Sequence, residues 1–494
     1  SRGLGDVYKR QLSGILGFMD KGFVNWSNNF ILYFSWMIRR NFIKTSGILL
    51  GSTFYLPSIL ASKNLNSRLN IGLIGVGGRG IQNWKPIIRS ENIVAMCDVD
   101  DRWAYNALNE IKQLHPNVKK FKDYRVMFDK MKNSLDAVII STPDHTHFHA
   151  AITAMELGLH VCIEKPLAHN VWECRTLKKA ANYYGIVSQM ANQGHTTNGI
   201  RQVKEWYDSG ILGEVREVHA WFGEFNFKPG HWWDMPSEFP PKKQTIPKTL
   251  EWDLWLGPAK NRDYNKVYVP KSWRGFFDFG NGQLGDWSCH TLDAPFWALD
   301  LGMPNSVVGH VPSPRIKENF VADKSTVEFN FPANKKRKSV KLKWYEGGFK
   351  PKFNDDFPLK KIPNLGMVMI GSKKSLITGG RPNNPRLLVD NEEWAEFQKN
   401  TPKQTIPRVK SGDETPIQEW IDGIKNDYLP GSNFNYSAEL TEMALVGVLS
   451  QRFGGRIEYD AKKMEITNRP ELNKFLKEEA RDGWKVSEFY NSLK

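Results

Sequence analysis

The sequence predicts an α/β chain, with a doubly wound parallel sheet first and an α+β domain after it. Three observations carry this. From Leu69 onward, short β-branched runs alternate with amphipathic stretches of helical length, the pattern of βαβ units. The first of these runs leads into a glycine-rich turn. After about Met190 the alternation gives way to strand-like, loop-rich sequence heavy in Trp, Pro and Gly. At 494 residues the chain exceeds one ordinary domain, in keeping with two.

Taken in order, strands are predicted at 69–74, 93–98, 137–141, 160–164 and 187–190. Helical segments are predicted at 80–89, 101–114, 123–132, 146–157 and 171–184, and a clear helix at 198–209 opens the second part. The domains are therefore 67–190 and 191–494. Eight of the 18 tryptophans fall between Trp221 and Trp297. Such rings line sugar sites and also fill cores, so the cluster marks one or the other.

The formal charge is +15, but basic residues are interleaved with acids along the whole chain. No basic helix, zinc-finger spacing or aromatic RNA-binding signature accompanies them, so nucleic acid is not an expected partner. Cys97, Cys162, Cys174 and Cys289 are too few for a disulfide framework and show no metal spacing; they are expected to be buried thiols. His145, His147 and His149 alternate, but no acid or cysteine set of ligand spacing stands nearby, and no metal site is expected.

The N-terminal part reads as an address. Arg39-Arg40 and the residues around them, followed by the uncharged run 45–61, resemble a bacterial twin-arginine export signal. The run contains Pro57 and is short for a membrane span, so no span is expected in the mature protein. Residues 37–66 are assigned to this signal and 1–36 to non-native or upstream sequence, with a periplasmic destination expected.

The turn Gly75-Val76-Gly77-Gly78-Arg79-Gly80 follows an apolar strand, opens a helix, and precedes Asp98 at the end of the next strand. That context turns a weak glycine pattern into the fingerprint of a Rossmann dinucleotide site. Gly75 permits the turn, Gly77 admits the pyrophosphate, and Gly80 lets helix approach strand. Gly78 and Arg79 belong to the same cradle. Asp98 is expected to accept the adenosine ribose hydroxyls and repel a 2′-phosphate, which favours NAD; Arg79 and Arg102 leave NADP open.

Two further segments stand at the ends of later strands, where a ligand crevice lies. They are Thr142-Pro143 with His147, and Glu164-Lys165-Pro166. With these, and with Gly285-Asp286-Trp287-Ser288-Cys289-His290, the sequence from about Asn70 onward resembles the Gfo/Idh/MocA superfamily of glucose-fructose oxidoreductase and inositol dehydrogenase. Asp286 and His290 are four apart, so on a helix they share a face and can meet. An imidazole held by a carboxylate accepts a hydroxyl proton near neutral pH. Lys165 can steady the same oxygen as charge develops or, with a lowered pKa, share the proton, so either His290 or Lys165 can serve as the base.

The resemblance implies the trio Lys165, Asp286 and His290 around the substrate, a cis Lys165–Pro166 bond, and Thr142, Pro143, His147 and Glu164 near the cofactor. It places substrate contacts at His195, Arg274 and Asp293, and Trp233 in a substrate loop of exported sugar-active members. It also implies an open, mostly antiparallel second sheet through which dimers or tetramers form.

Three functions fit these residues. One is a dehydrogenase of a sugar, cyclitol or glycoside hydroxyl. Another is an NAD-dependent glycoside hydrolase that oxidises, eliminates, hydrates and reduces again. The third is a non-catalytic sugar or cofactor sensor, against which the joint presence of the trio argues. Since free NAD is scarce outside the cytoplasm, an exported member is expected to hold its cofactor tightly.

Overall fold

In the computed structural model, residues 68–223, 233 and 235–493 are described. The twin-arginine segment, residues 1–36, and His231, Trp232 and Asp234 lie outside them. Among the described residues no helix is long and apolar enough to cross a membrane.

Six short strands form the first sheet: β1 (Asn70–Ile74), β2 (Asn92–Cys97), β3 (Lys119–Phe121), β4 (Ala137–Ile140), β5 (His160–Ile163) and β6 (Ser188–Met190). They lie in the order β3-β2-β1-β4-β5-β6 and every pairing is parallel. The near-continuous apolar runs are those of strands covered on both faces. β3 was not foreseen, because it has three residues of which two are exposed lysines.

The crossovers are α1 (Gly80–Trp84), α2 (Asp101–Leu114), α3 (Tyr124–Met131), α4 (His147–Glu156) and α5 (Val171–Tyr184). α1 is half the length predicted for it. Pro86 has no N–H to donate to the Gln82 carbonyl, so the helical hydrogen bonds end with that of Lys85, which itself keeps helical backbone. α2 starts where the Asp100 carboxylate accepts the Arg102 and Trp103 N–H groups. α5 carries a full capping box, Asn170 with Glu173, and ends on Gly185 at φ +63°.

After α6 (Asn198–Asp208) comes β7 (Val215–Phe222), then α7 (Trp252–Leu256), α8 (Gly282–Thr291) and α9 (Asp293–Ala298). The second sheet adds β8 (Ser306–His310), β9 (Ser325–Phe331), β10 (Val340–Glu346), β11 (Leu365–Gly371), β12 (Leu376–Thr378), β13 (Arg386–Leu387), β14 (Gly455–Asp460) and β15 (Glu465–Ile466). Its nine strands run β13-β12-β11-β7-β10-β9-β8-β14-β15. Only the β7–β10 pair among them is parallel. β9 alternates cleanly, Val327, Phe329 and Phe331 facing the core while Thr326, Glu328 and Asn330 face away.

Four later helices follow: α10 (Asn391–Lys399), α11 (Pro416–Asn426), α12 (Phe434–Phe453) and the single turn α13 (Phe489–Ser492). α12 fills the space between α5 and the core face of the second sheet. Gly447 is required there, since a Cβ would sit 2.4 Å from the Phe329 ring.

Although the sheets change near residue 191, the later chain returns to the first one. Ile417, Trp420 and Ile421 of α11 join the cluster of Ile71, Ile93 and Ile139, and the Trp420 indole donates to the Val187 carbonyl at 3.0 Å. All four cysteines are buried and unpaired.

Candidate active site

A cleft of about 580 Å³ runs along the C-terminal ends of the first sheet's strands, with residues of the second domain forming its other wall. Its floor begins at the glycine turn. Gly75 and Gly78 adopt φ +78° and +53°, where other residues are strained. A Cβ on Gly75 would lie 2.6 Å from the Ser141 carbonyl oxygen, and one on Gly80 only 2.2 Å from that of Gly75. At Gly77 and Gly78 the first obstacle is Trp103, 2.7 and 2.8 Å from such an atom. This wall was not foreseen; its only signal was a large aromatic in the first turn of α2.

Asp98 lines the same end. Its carboxylate already accepts three backbone N–H groups, from Val76 at 3.0 Å, Gly77 at 3.3 Å and Asp100 at 3.0 Å. A carboxylate has about four lone-pair sites, so room remains for one hydroxyl rather than two. Burial raises its pKa, and those three bonds oppose the rise. The cradle that side chains would fill and the spare acceptor fit a dinucleotide.

Glu164 ties the floor together. It accepts Arg79 Nε at 2.8 Å, Asn83 Nδ2 at 3.0 Å and the Lys165 N–H at 3.1 Å. Burial pushes its carboxyl up, but the Arg79 and Lys165 charges outweigh this and hold it below the usual range. The Lys165–Pro166 bond is cis. Thr142 and Pro143 line the cleft, but His147 does not. Fully buried, His147 sets Nδ1 against the Pro166 carbonyl at 2.9 Å and Nε2 against that of Thr142 at 2.8 Å, lashing the two turns together. Burial pushes its pKa down, while Asp144 and the two carbonyls favour the cation.

At the other end stand Lys165, Arg274, Asp286 and His290. The expected Asp286–His290 pair is not formed. Asp286 instead accepts from Lys165 Nζ and lies 3.2 Å from Arg274 Nη1. Burial alone would raise its pKa, and these two cations pull it below the usual range. Sharing a helix face was enough for contact, but two full charges outbid a neutral imidazole for the carboxylate. Lys165 Nζ also donates to the Asp286 carbonyl at 3.1 Å, and Arg274 reaches Asp144 at 3.3 Å.

His290 turns to an amide. Its Nδ1 lies 2.9 Å from Asn192 Oδ1, and Asn192 Nδ2 donates to Asp293 at 2.9 Å. Since a carboxylate only accepts, Asp293 fixes which end of the Asn192 amide faces His290. Nδ1 must then carry the proton, leaving the lone pair on Nε2. Burial, followed by the nearby charges of Lys165, Arg381 and Arg79, drives the imidazole well below its ordinary pKa, so it is neutral.

Asp293 also accepts from His195 Nδ1 at 3.0 Å and from the Tyr436 hydroxyl at 2.5 Å. His195 and Asp293 are buried and are not among the residues that line the cleft; Asp293 connects to His290 through Asn192. Trp233 is buried too, and lines a neighbouring groove of about 1130 Å³ that shares Trp103 and 269–271 with the main cleft. Tyr436 went unnoticed in the sequence: it lies 143 residues from Asp293 with no local pattern to mark it. Arg381 and Trp484, also cleft-lining, are as remote.

The aromatic cluster divides. Trp221 is core and Trp252 lies behind the cleft, stacked at 4.9 Å on Trp255, whereas Trp255, Trp273 and Trp287 present surface to the cleft. The Arg274 guanidinium sits 4.3 Å over the Trp273 ring. Among the described residues no group of three or more His, Cys, Asp or Glu is arranged to hold a metal ion.

Comparison with known proteins agrees with this architecture. The chain is 24% identical over 154 residues to 2,7-anhydro-N-acetylneuraminate hydratase of Escherichia coli (strain K12), covering 31% of this chain and 39% of that protein. It is 29% identical over 178 residues to alpha-N-acetylgalactosaminidase of Shewanella oneidensis, covering 33% and 39%. With inositol 2-dehydrogenase of Salmonella paratyphi B the figures are 26% over 213 residues, 41% and 58%. The chain thus spans about two fifths of the length of the first two relatives.

Among solved structures, WlbA dehydrogenase from Bordetella pertussis, in complex with NADH and UDP-GlcNAcA, superposes with a TM-score of 0.54 at 16% identity, covering 80% of this chain and 99% of that one. Levoglucosan dehydrogenase, in complex with NADH and levoglucosan, gives 0.53 at 16%, covering 79% and 99%. At that identity the likeness is one of fold. Residues 69–191 match the oxidoreductase family with an NAD-binding Rossmann fold, and 196–333 match its C-terminal alpha/beta domain. The chain belongs to the Gfo/Idh/MocA oxidoreductase family.

Proposed function

We propose that this protein is an NAD-dependent dehydrogenase of a CH–OH group on a sugar, cyclitol or glycoside. The observation that carries the reading is a neutral His290, its Nε2 lone pair unclaimed by the Asn192 relay, on the same cleft as Lys165 and the glycine cradle. Bound NAD supplies the acceptor for the hydride leaving the carbinol carbon. His290 Nε2 takes the hydroxyl proton. Lys165 Nζ donates to the same oxygen and steadies the charge that grows on it. Asp286, itself held by Arg274, keeps Lys165 in place, and Asp293, through Asn192, holds the His290 tautomer. Trp273 and Trp287 offer apolar faces to a ring and exclude water.

Asp98 favours NAD over NADP. The cations that left NADP open are already engaged, Arg79 by Glu164 at 2.8 Å and Arg102 by Asp100 at 3.2 Å. The export reading of Arg39-Arg40, the tight hold on the cofactor and a dimer or tetramer through the outward face of the second sheet belong to the same proposal.

A second reading, transient oxidation and elimination at a glycoside, is favoured by the likeness to the Shewanella galactosaminidase. It uses the same residues. Incubating the protein with sugars and p-nitrophenyl glycosides separates the two: NADH formed without aglycone supports the dehydrogenase, and aglycone without net NADH supports the hydrolase. Neither product from a broad panel, with dinucleotide bound, would leave only the sensor.

A further inference from the structure

After β15 the chain runs back to the first domain. Several strong contacts hold residues 470–493 to it and to the α7 segment of the second domain. The Leu476 carbonyl accepts the Trp172 N–H at 2.9 Å, and the Tyr490 hydroxyl donates to Glu156 at 2.6 Å. Arg481 engages all three of its guanidinium nitrogens, with the Gly257 carbonyl at 2.5 Å, the Asp253 carboxylate at 2.6 Å, Asn261 at 2.7 Å and the Asp253 carbonyl at 2.7 Å. A terminal segment is poorly ordered unless tied down, and this one is tied at both ends.

Between those anchors Trp484 is buried and lines the main cleft. Its ring lies 6.1 Å from that of Tyr124, and the Arg125 guanidinium covers it at 4.2 Å. Tyr124 opens α3 just beyond β3, and β3 pairs with β2, just after which the Asp98 N–H donates to the Phe121 carbonyl at 3.2 Å. Trp484 therefore stands at the Asp98 end of the cleft, away from Lys165 and His290. In a parallel sheet of this order the acid after the second strand marks the adenosine end of a dinucleotide.

We propose that residues 470–493 form a clasp over the adenosine end of the dinucleotide site, with Trp484 as its apolar wall, and that the clasp sets how slowly the dinucleotide leaves. The proposal rests on the dinucleotide reading above and is independent of which sugar reacts. A wall anchored by side chains outside the cleft acts chiefly on dissociation, since related complexes differ mostly in how fast they come apart.

The test loads the full chain with NADH, adds excess NAD, and follows the loss of energy transfer from indole to nicotinamide. Trp484→Ala is expected to release NADH about tenfold faster or more, the scale of a lost aromatic contact to a base. Trp484→Phe, keeping an aromatic face, is expected within about threefold of the parent. Arg481→Ala leaves the cleft lining intact and removes the anchor three residues from Trp484, so faster release there assigns the effect to the clasp. Parent-like release in both alanine variants overturns the proposal. Should Trp484→Ala fail to fold, Arg481→Ala decides alone between the same two outcomes. A parent that binds no NADH overturns the dinucleotide reading itself, and this one with it.

Discussion

The two walls of the cleft are built in different ways. The wall from the first domain is local: each functional group sits at the end of a strand, within a few residues of the turn that aims it. Gly75–Gly80, Asp98, Thr142-Pro143 and Glu164-Lys165 all follow this rule. The wall from the second domain is assembled from afar. Arg274, Asp286 with His290, Arg381 and Trp484 come from four separate stretches, and the residues that orient them, Asn192, Asp293 and Tyr436, come from three more. Backbone geometry fixes the first wall, whereas the second depends on side-chain networks in which each member's place is set by its neighbours.

This contrast can be broken or sharpened by substitution. The largest effect is expected for Lys165→Ala on the first wall, a loss of about a thousandfold or more in turnover with NADH still bound. Turnover and NADH binding measured on the same preparation check it, and an unchanged rate would sink the assignment.

A smaller loss, about ten- to a hundredfold in kcat with KM less affected, is expected for Asn192→Leu. It removes the amide that fixes His290 without touching the cleft's charges. In the parent, a lowered His290 pKa means the imidazole stays neutral as pH falls through 6.5. The acid limb of kcat/KM is therefore expected well below pH 6.5, and a limb at or above that value would show that another group serves as base.

The smallest effect is expected for Asp98→Asn, about tenfold in NAD affinity or less, because the amide keeps one acceptor oxygen for the turn. Discrimination against NADP should fall with it. Titration with both nucleotides reads the two changes together.

The same contrast explains what could be read from the sequence. The strands and helices of the first domain were legible because apolar runs and capping residues act over a few positions: α2 and α5 lie where their caps put them. β3 and the early stop of α1 were not, one being too short and polar to show a pattern, the other decided by a single Pro86. Within the site, Lys165 and Asp98 announced themselves by position in a turn. The Asp286–His290 expectation failed because helix spacing says who can meet and not who competes; Arg274 and Lys165, brought in by the fold, took the carboxylate. His195 and Asp293 share the motif region yet lie one layer back, a distinction of depth that a linear pattern does not contain.

The return of the later chain to the first sheet has a mechanical consequence. α11 is fastened to β6's neighbourhood by Trp420 and Val187, α12 to α5 by Glu442 and Arg175, and the last residues to α4 by Tyr490 and Glu156. Two lobes stitched at three places cannot swing apart like a book without breaking all three seams together. Molecules must enter through the mouth of the groove, so its outline, more than any opening motion, sorts what reaches His290.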